Sequence, residues 1–158
     1  MNAKPLRSSP TMSQVQRPSR RHVYSVTIQF GDCDPAGIVF FPNYNRWMDE
    51  ASLAFFMACG IPPWRELVKT RGIIGTPLLE IHTQFKQAAT YGEVLNITTT
   101  VEHWDRKTFR QRHVVRRGED LICEGTETRA FVIRDEQSGR LKAIAVPPDI
   151  IDLCTLAD

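Results

Sequence analysis

The chain is 158 residues long, with 42% hydrophobic and 24% charged residues, which fits one globular domain with a core of ordinary size and leaves no length for a second catalytic unit. No apolar run approaches the roughly 20 residues of a membrane-spanning helix. The net charge is +2, but Lys4, Arg7, Arg17, Arg20 and Arg21 all precede the first acid, Asp32. Without those five the remainder stands at −3, which argues against a domain-wide basic face for nucleic acid and leaves room for a local phosphate patch.

Residues 1–21 are rich in Pro, Ser, Gln and Arg and lack apolar periodicity, so they read as a disordered basic tail. They have neither the apolar core of a secretory signal nor, with three prolines, the helix of a transit peptide; Met12 is an alternative start. Over 23–30, Tyr24, Val26, Ile28 and Phe30 alternate as in a half-buried strand.

Next comes Phe30-Gly31-Asp32-Cys33-Asp34-Pro35-Ala36-Gly37-Ile38-Val39, a glycine-bracketed loop holding two acids just before a helix. Pro42 suits the first helical turn, and Tyr44, Trp47, Met48, Ala51, Phe55 and Ala58 then recur at helical spacing up to a cap near Gly60. A short helix is predicted over 63–70, closed by Gly72. Strands are predicted over 79–85, 95–101, 109–117, 121–134 and 141–146, separated by turn signals, with a last helical turn over 148–153.

One long amphipathic helix followed by consecutive strands is an α+β pattern, with the helix packed on an antiparallel sheet. In the strand from Leu121, the residues Cys123, Gly125, Glu127, Arg129 and Phe131 share one parity and mix polar with apolar types, which fits a subunit contact along it. The four cysteines show neither CxxC spacing nor scaffold density and read as reduced thiols of a cytoplasmic protein, Cys33 among them as a packing residue.

The two acids have a chemical reading. The first N–H groups of a helix have no internal partner and carry a partial positive charge, so a carbonyl aimed there is polarised and its oxyanion stabilised. A neighbouring carboxylate can attack that carbonyl or take a proton from water. Spacing does not choose between Asp32 and Asp34.

These residues, with Pro42-Asn43-Tyr44, Arg46-Trp47, Asp49, Cys59-Gly60, Pro62-Pro63-Trp64-Arg65, Gly75-Thr76-Pro77 and Gln111-Arg112-His113, resemble the hotdog-fold acyl-CoA thioesterases of the 4-hydroxybenzoyl-CoA type. The similarity covers about 24–154. It implies a hotdog domain over 22–158: a five-stranded antiparallel sheet wrapped around one long helix, paired into homodimers and homotetramers with the active site between subunits. It implies thioester hydrolysis with Asp34 as nucleophile or general base and the Phe41 backbone amide as the polarising donor. Asp32 is left to shape the loop.

In the resembling enzymes the positions of Asp49 and Trp64 lie near the aromatic acyl ring, the acid accepting a bond from the ring hydroxyl, and Thr76 matches a position near the thioester. Members acting on aliphatic acyl groups often carry histidine where this chain has Pro42, which favours the hydroxybenzoyl branch. Departures are Phe40-Phe41 in place of Trp-Tyr, and His82 and Gln84. For the phosphates of CoA the candidates are Arg106 and Lys107 in one turn and Arg140 and Lys142 in another segment. His82, His103 and His113 lack metal-ligand spacing, and neither metal nor cofactor is implied. The competing readings are a short-chain acyl-CoA or acyl-carrier-protein thioesterase of the same fold and a non-catalytic acyl-CoA-binding module.

Overall fold

The computed structural model describes residues 17–157. In chain order the elements are β1 (His22–Thr27), α1 (Pro42–Ala58), α2 (Trp64–Arg71), β2 (Ile73–Gly75), β3 (Leu78–Phe85), β4 (Val94–Trp104), β5 (Thr108–Arg117), β6 (Asp120–Ala130), β7 (Val132–Arg134), β8 (Leu141–Ala143) and α3 (Pro148–Cys154). Five strands form the main sheet in the order β1-β4-β5-β6-β3, every neighbouring pair antiparallel. A second, three-stranded sheet has the order β2-β7-β8.

The main sheet packs on α1, whose buried residues Tyr44, Trp47, Met48, Ala51, Ser52, Phe55 and Phe56 repeat every three or four positions. Close approach needs Gly125 on β6: a Cβ there would stand 2.9 Å from Met48 Sδ and 3.3 Å from the His82 carbonyl oxygen. Two apolar clusters fill the core, one around Trp47, Met48 and Leu95 near the N-terminal half of α1, the other around Phe56, Phe109 and Phe131 near its C-terminal half. Buried polar residues Ser52, Thr99, Gln111, His113, Glu127 and Arg129 belong to neither cluster.

Several expectations change. The strand predicted over 23–30 ends at Thr27, because the Asp32 carboxylate takes the Gln29 N–H at 2.8 Å and the chain turns into a single 3-10 turn, Phe30–Asp32. The strand predicted over 121–134 breaks at Phe131 into β6 and β7, and the one over 141–146 ends at Ala143 and joins the small sheet. Ile73–Gly75 was not foreseen as a strand; its three residues follow directly on the Gly72 that caps α2.

The subunit contact expected along β6 is also corrected. Both edges of β6 are paired, to β5 and β3, and Cys123, Gly125, Glu127 and Arg129 are buried within the chain. The outer strands of the main sheet are β1 and β3, and on β3 the side chains of Leu78, Leu79, Ile81 and Phe85 are exposed. Residues 1–16 of the expected tail lie outside the described residues. Of its last positions, Arg20 N–H donates to the Cys154 carbonyl at 2.8 Å and Pro18 accepts from Leu156 N–H at 2.9 Å, so pairing with the C-terminal segment begins there. No described helix is long and apolar enough to cross a membrane, and all four cysteines are free.

Candidate active site

The loop after β1 closes as a small hairpin. Asp34 N–H donates to the Ile38 carbonyl at 2.9 Å, Gly37 N–H donates back to the Asp34 carbonyl at 2.9 Å, and Cys33 pairs with Val39. Gly37 takes φ 79°, a left-handed conformation that glycine adopts without steric cost. The hairpin returns the chain directly to the start of α1.

Its two acids are used differently. Asp32 is fully engaged: Oδ2 takes the Gln29 N–H, Oδ1 takes Arg46 Nη2 at 3.0 Å, and its carbonyl accepts from Asn43 Nδ2 at 2.8 Å and Phe40 N–H at 2.9 Å. Asp34 is half-buried, and its Oδ1 takes the Ala36 N–H at 2.8 Å. Asp34 Oδ2 accepts no hydrogen bond from the described residues. Cys33 packs against the first core cluster.

At the helix start, Asn43 N–H donates to the Phe40 carbonyl at 3.0 Å and Tyr44 N–H to the Phe41 carbonyl at 3.2 Å. Pro42 has no N–H, and the Phe41 N–H has no acceptor among the described residues. One unengaged donor therefore stands at the positive end of a 17-residue helix. A cavity of about 310 Å³ opens beside it, walled by Ile38, Phe41, Tyr44, Phe85 and the segment Lys86 to Ala89. Phe85 meets Phe41 edge-on with ring centroids 6.4 Å apart. Burial, above all, pushes the Tyr44 hydroxyl up to about 12, so it stays neutral. Asp34 sits in the hairpin next to this cavity rather than on its wall.

A second cavity, of about 330 Å³, brings together Asp49, Trp64 and Thr76, with Pro77, Leu78, Arg129 and Leu141 around them. Trp64 is held by edge-on contacts to Phe56 at 5.4 Å and Phe131 at 6.2 Å. Asp49 is exposed, yet its Oδ1 accepts from Arg129 Nη2 at 2.8 Å. Arg129 Nη1 donates to the Thr76 carbonyl at 3.0 Å, and its Nε and Nη2 donate to Glu127 Oε2 at 3.0 and 2.8 Å. Burial pushes the Glu127 carboxyl up, but the hydrogen bond and charge of His113 and the Arg129 guanidinium outweigh it, leaving it below the usual carboxylate range.

The two cavities are separate in one chain. Phe41, which caps α1, and Asp49 on α1 are eight residues apart, about 12 Å of helix rise. The sequence singled out Asp49, Trp64 and Thr76 individually but gave Arg129, Glu127 and His113 no part in a site. The available signal was the alternation of charged Glu127 and Arg129 on the parity of Cys123 and Phe131, which marks charges pointing into the core.

Arg106, Lys107, Arg140 and Lys142 are all exposed. The Val146 N–H donates to the Arg106 carbonyl at 2.9 Å, so the turn between β4 and β5 lies beside the segment after β8. Arg140 and Lys142 flank Leu141, which lines the second cavity. Lys142 Nζ is 3.9 Å from Asp135, while Arg106, Lys107 and Arg140 form no ion pair among the described residues. His82 and His103 are exposed, His113 is buried, and no group of three or more metal-ligating side chains occurs among the described residues.

Comparison with known proteins follows the same architecture. A family model described as the thioesterase-like superfamily matches residues 28–152. The chain is 50% identical over 133 residues, 81% of its length and 93% of the relative's, to 4-hydroxybenzoyl-CoA thioesterase of Pseudomonas sp. (strain CBS-3). A crystal structure of an aspartate-to-asparagine mutant of 4-hydroxybenzoyl CoA thioesterase, complexed with 4-hydroxybenzoyl CoA, superposes with TM-score 0.81 at 46% identity, covering 87% of this chain and 100% of that one. A gentisyl-coenzyme A thioesterase superposes with TM-score 0.72 at 32% identity, covering 82% and 98%.

Proposed function

The chain belongs to the thioesterase-like superfamily, and on that premise we propose that it hydrolyses an acyl-CoA thioester with a hydroxylated aromatic acyl group, of the 4-hydroxybenzoyl kind. The observation that carries this is the pair formed by Asp34, with one carboxylate oxygen unengaged, and the unengaged Phe41 N–H at the start of α1. The N–H polarises the thioester carbonyl and bonds the oxyanion that develops, a contribution of about 3 to 4 kcal/mol for one such donor. Asp34 either attacks the carbonyl carbon, forming an anhydride that water then cleaves to the free acid, or takes a proton from the water that attacks that carbon; in both routes the C–S bond breaks and CoA leaves as its thiol.

The acyl group is read by the second cavity. Asp49 Oδ2 accepts no bond from the described residues, Trp64 offers an aromatic wall, and a site built to bond a hydroxyl rejects the analogue lacking it. The 4-hydroxybenzoyl and gentisyl relatives support this choice over an aliphatic acyl group.

Joining the two cavities takes a second copy. The first opens at the Phe85 end of β3 and the second at the Leu78 end. Two copies pairing their exposed β3 edges about a twofold axis run antiparallel, so the Phe85 end of one meets the Leu78 end of its partner. A homodimer, or a tetramer built from it, therefore completes each site with Asp34 and Phe41 from one subunit and Asp49, Trp64 and Thr76 from the other. Arg106, Lys107, Arg140 and Lys142 meet the CoA phosphates at the rim.

The test is a panel of CoA esters with free thiol release as readout. The expected result is turnover of 4-hydroxybenzoyl-CoA above benzoyl-CoA and above short aliphatic esters. A preference for aliphatic esters overturns the acyl-group assignment, and tight binding of every ester without thiol release overturns catalysis.

A further inference from the structure

A single guanidinium grips both walls of the second cavity. Arg129, 4% exposed, donates to Asp49 Oδ1 on α1 and to the Thr76 carbonyl ahead of β3. From behind, Glu127 Oε2 takes two of its N–H groups and also a 3.0 Å bond from His113 Nε2, while His113 Nδ1 stands 2.8 Å from Thr99 Oγ1. Thr99, His113 and Glu127 are 1% exposed or less. An unbroken polar chain thus runs from the sheet interior to the cavity wall.

Fold stability does not account for its outer end. Glu127 and His113 already give the buried part of the chain its partners, whereas Asp49 is 67% exposed at its side chain, where an ion pair contributes little. What the outer bond does is orient: it removes the rotational freedom of a surface carboxylate and leaves Oδ2 as its unengaged acceptor. Arginine suits this because its planar fork bonds several acceptors in fixed directions at once, which a lysine ammonium on a flexible stem does not.

We propose that Arg129, anchored by Glu127 and His113, is the positioning residue for acyl-group selection: it holds Asp49 and Thr76 in register so that the cavity discriminates for a ring hydroxyl. This rests on the hydroxyaryl reading above, and the experiment separates the two.

The kcat/KM values for 4-hydroxybenzoyl-CoA and benzoyl-CoA are measured on the full chain for wild type, Asp49→Ala, Arg129→Lys and Asp49→Ala/Arg129→Lys, with melting followed by circular dichroism. The hydroxylated-to-plain ratio should fall about tenfold or more in Arg129→Lys, to the level of Asp49→Ala, and the double variant should fall no further. A general loss of packing would lower both substrates together and leave the ratio alone. Should Arg129→Lys not fold, Glu127→Gln/Arg129→Gln removes both buried charges and carries the same readout. A ratio held within about twofold of wild type in a folded Arg129 variant overturns the proposal. A wild type indifferent to the hydroxyl overturns the acyl-group reading and this inference with it.

Discussion

Arg46 Nη2 lies 3.0 Å from Asp32 Oδ1, which ties the first acid of the loop to the outer face of α1 and separates its role from that of Asp34, two residues on. The engaged acid holds the hairpin in place, and the acid with a vacant oxygen is the one we propose meets the substrate. Asp34→Asn should therefore keep the fold and lower kcat by about 10² to 10⁴-fold. Asp32→Ala should instead lose about 1 to 2 kcal/mol of stability, through the Gln29 N–H it caps, with a smaller loss of rate. Thiol release and urea unfolding on the two variants check this, and an active Asp34→Asn would remove that residue from the mechanism.

Acid should unfold the protein partly through Glu127. Its folded carboxyl lies below the usual range because His113 and Arg129 outweigh the burial that pushes it up, so the unfolded chain takes up the proton first, near pH 4.3. The stabilisation is complete above that pH and is lost as pH falls through the lower folded value. Urea midpoints should thus drop below about pH 4, and Glu127→Gln should flatten that acid limb. At neutral pH the same variant should lose about 3 to 5 kcal/mol, since it removes the buried counter-charge of the Arg129 guanidinium and leaves it only the exposed Asp49.

The long helix and most strands were legible because their apolar residues recur with periods near 3.6 and 2 over many positions. The break at Phe131 was not, since a residue buried on one parity with Cys123 continues the strand pattern whether or not the backbone keeps its partners. Asp34 and Asp32 are equivalent in spacing and only the family resemblance favours Asp34; the structure adds that Arg46, 14 residues from Asp32, occupies the Asp32 carboxylate. Asp49 alone reads as an ordinary helix-face acid. The family resemblance marks it out, but the bond that holds it comes from Arg129, 80 residues away, a separation that no local pattern spans.

The basic rim should act by charge rather than by shape. Arg106, Lys107 and Arg140 are exposed and form no ion pairs among the described residues, so each neutralisation should raise KM for a CoA ester about two- to fivefold and leave kcat nearly unchanged. The effect should shrink as salt rises from about 0.01 to 0.5 M, because exposed charges are screened. Steady-state kinetics of Arg106→Ala/Lys107→Ala and Arg140→Ala/Lys142→Ala at several salt concentrations check both points. A KM independent of all four residues would move the phosphates elsewhere.

The β3 edge provides the most direct test of a shared site. Leu79 is 60% exposed and Ile81 37%, on an edge strand with an unpaired row of backbone donors and acceptors, and lysine is a residue that keeps such edges from pairing. Leu79→Lys/Ile81→Lys should therefore yield a folded monomer by light scattering. Because the cavity beside Phe41 and the cavity with Asp49 are separate in one chain, that monomer should lose hydrolysis to the level of Asp34→Asn. Mixing Asp34→Asn chains with Asp49→Ala chains supplies the complement: sites shared across the twofold axis regain, in each mixed dimer, one site carrying neither substitution. Restored turnover of 4-hydroxybenzoyl-CoA in the mixture supports the shared site, and an active monomer refutes it.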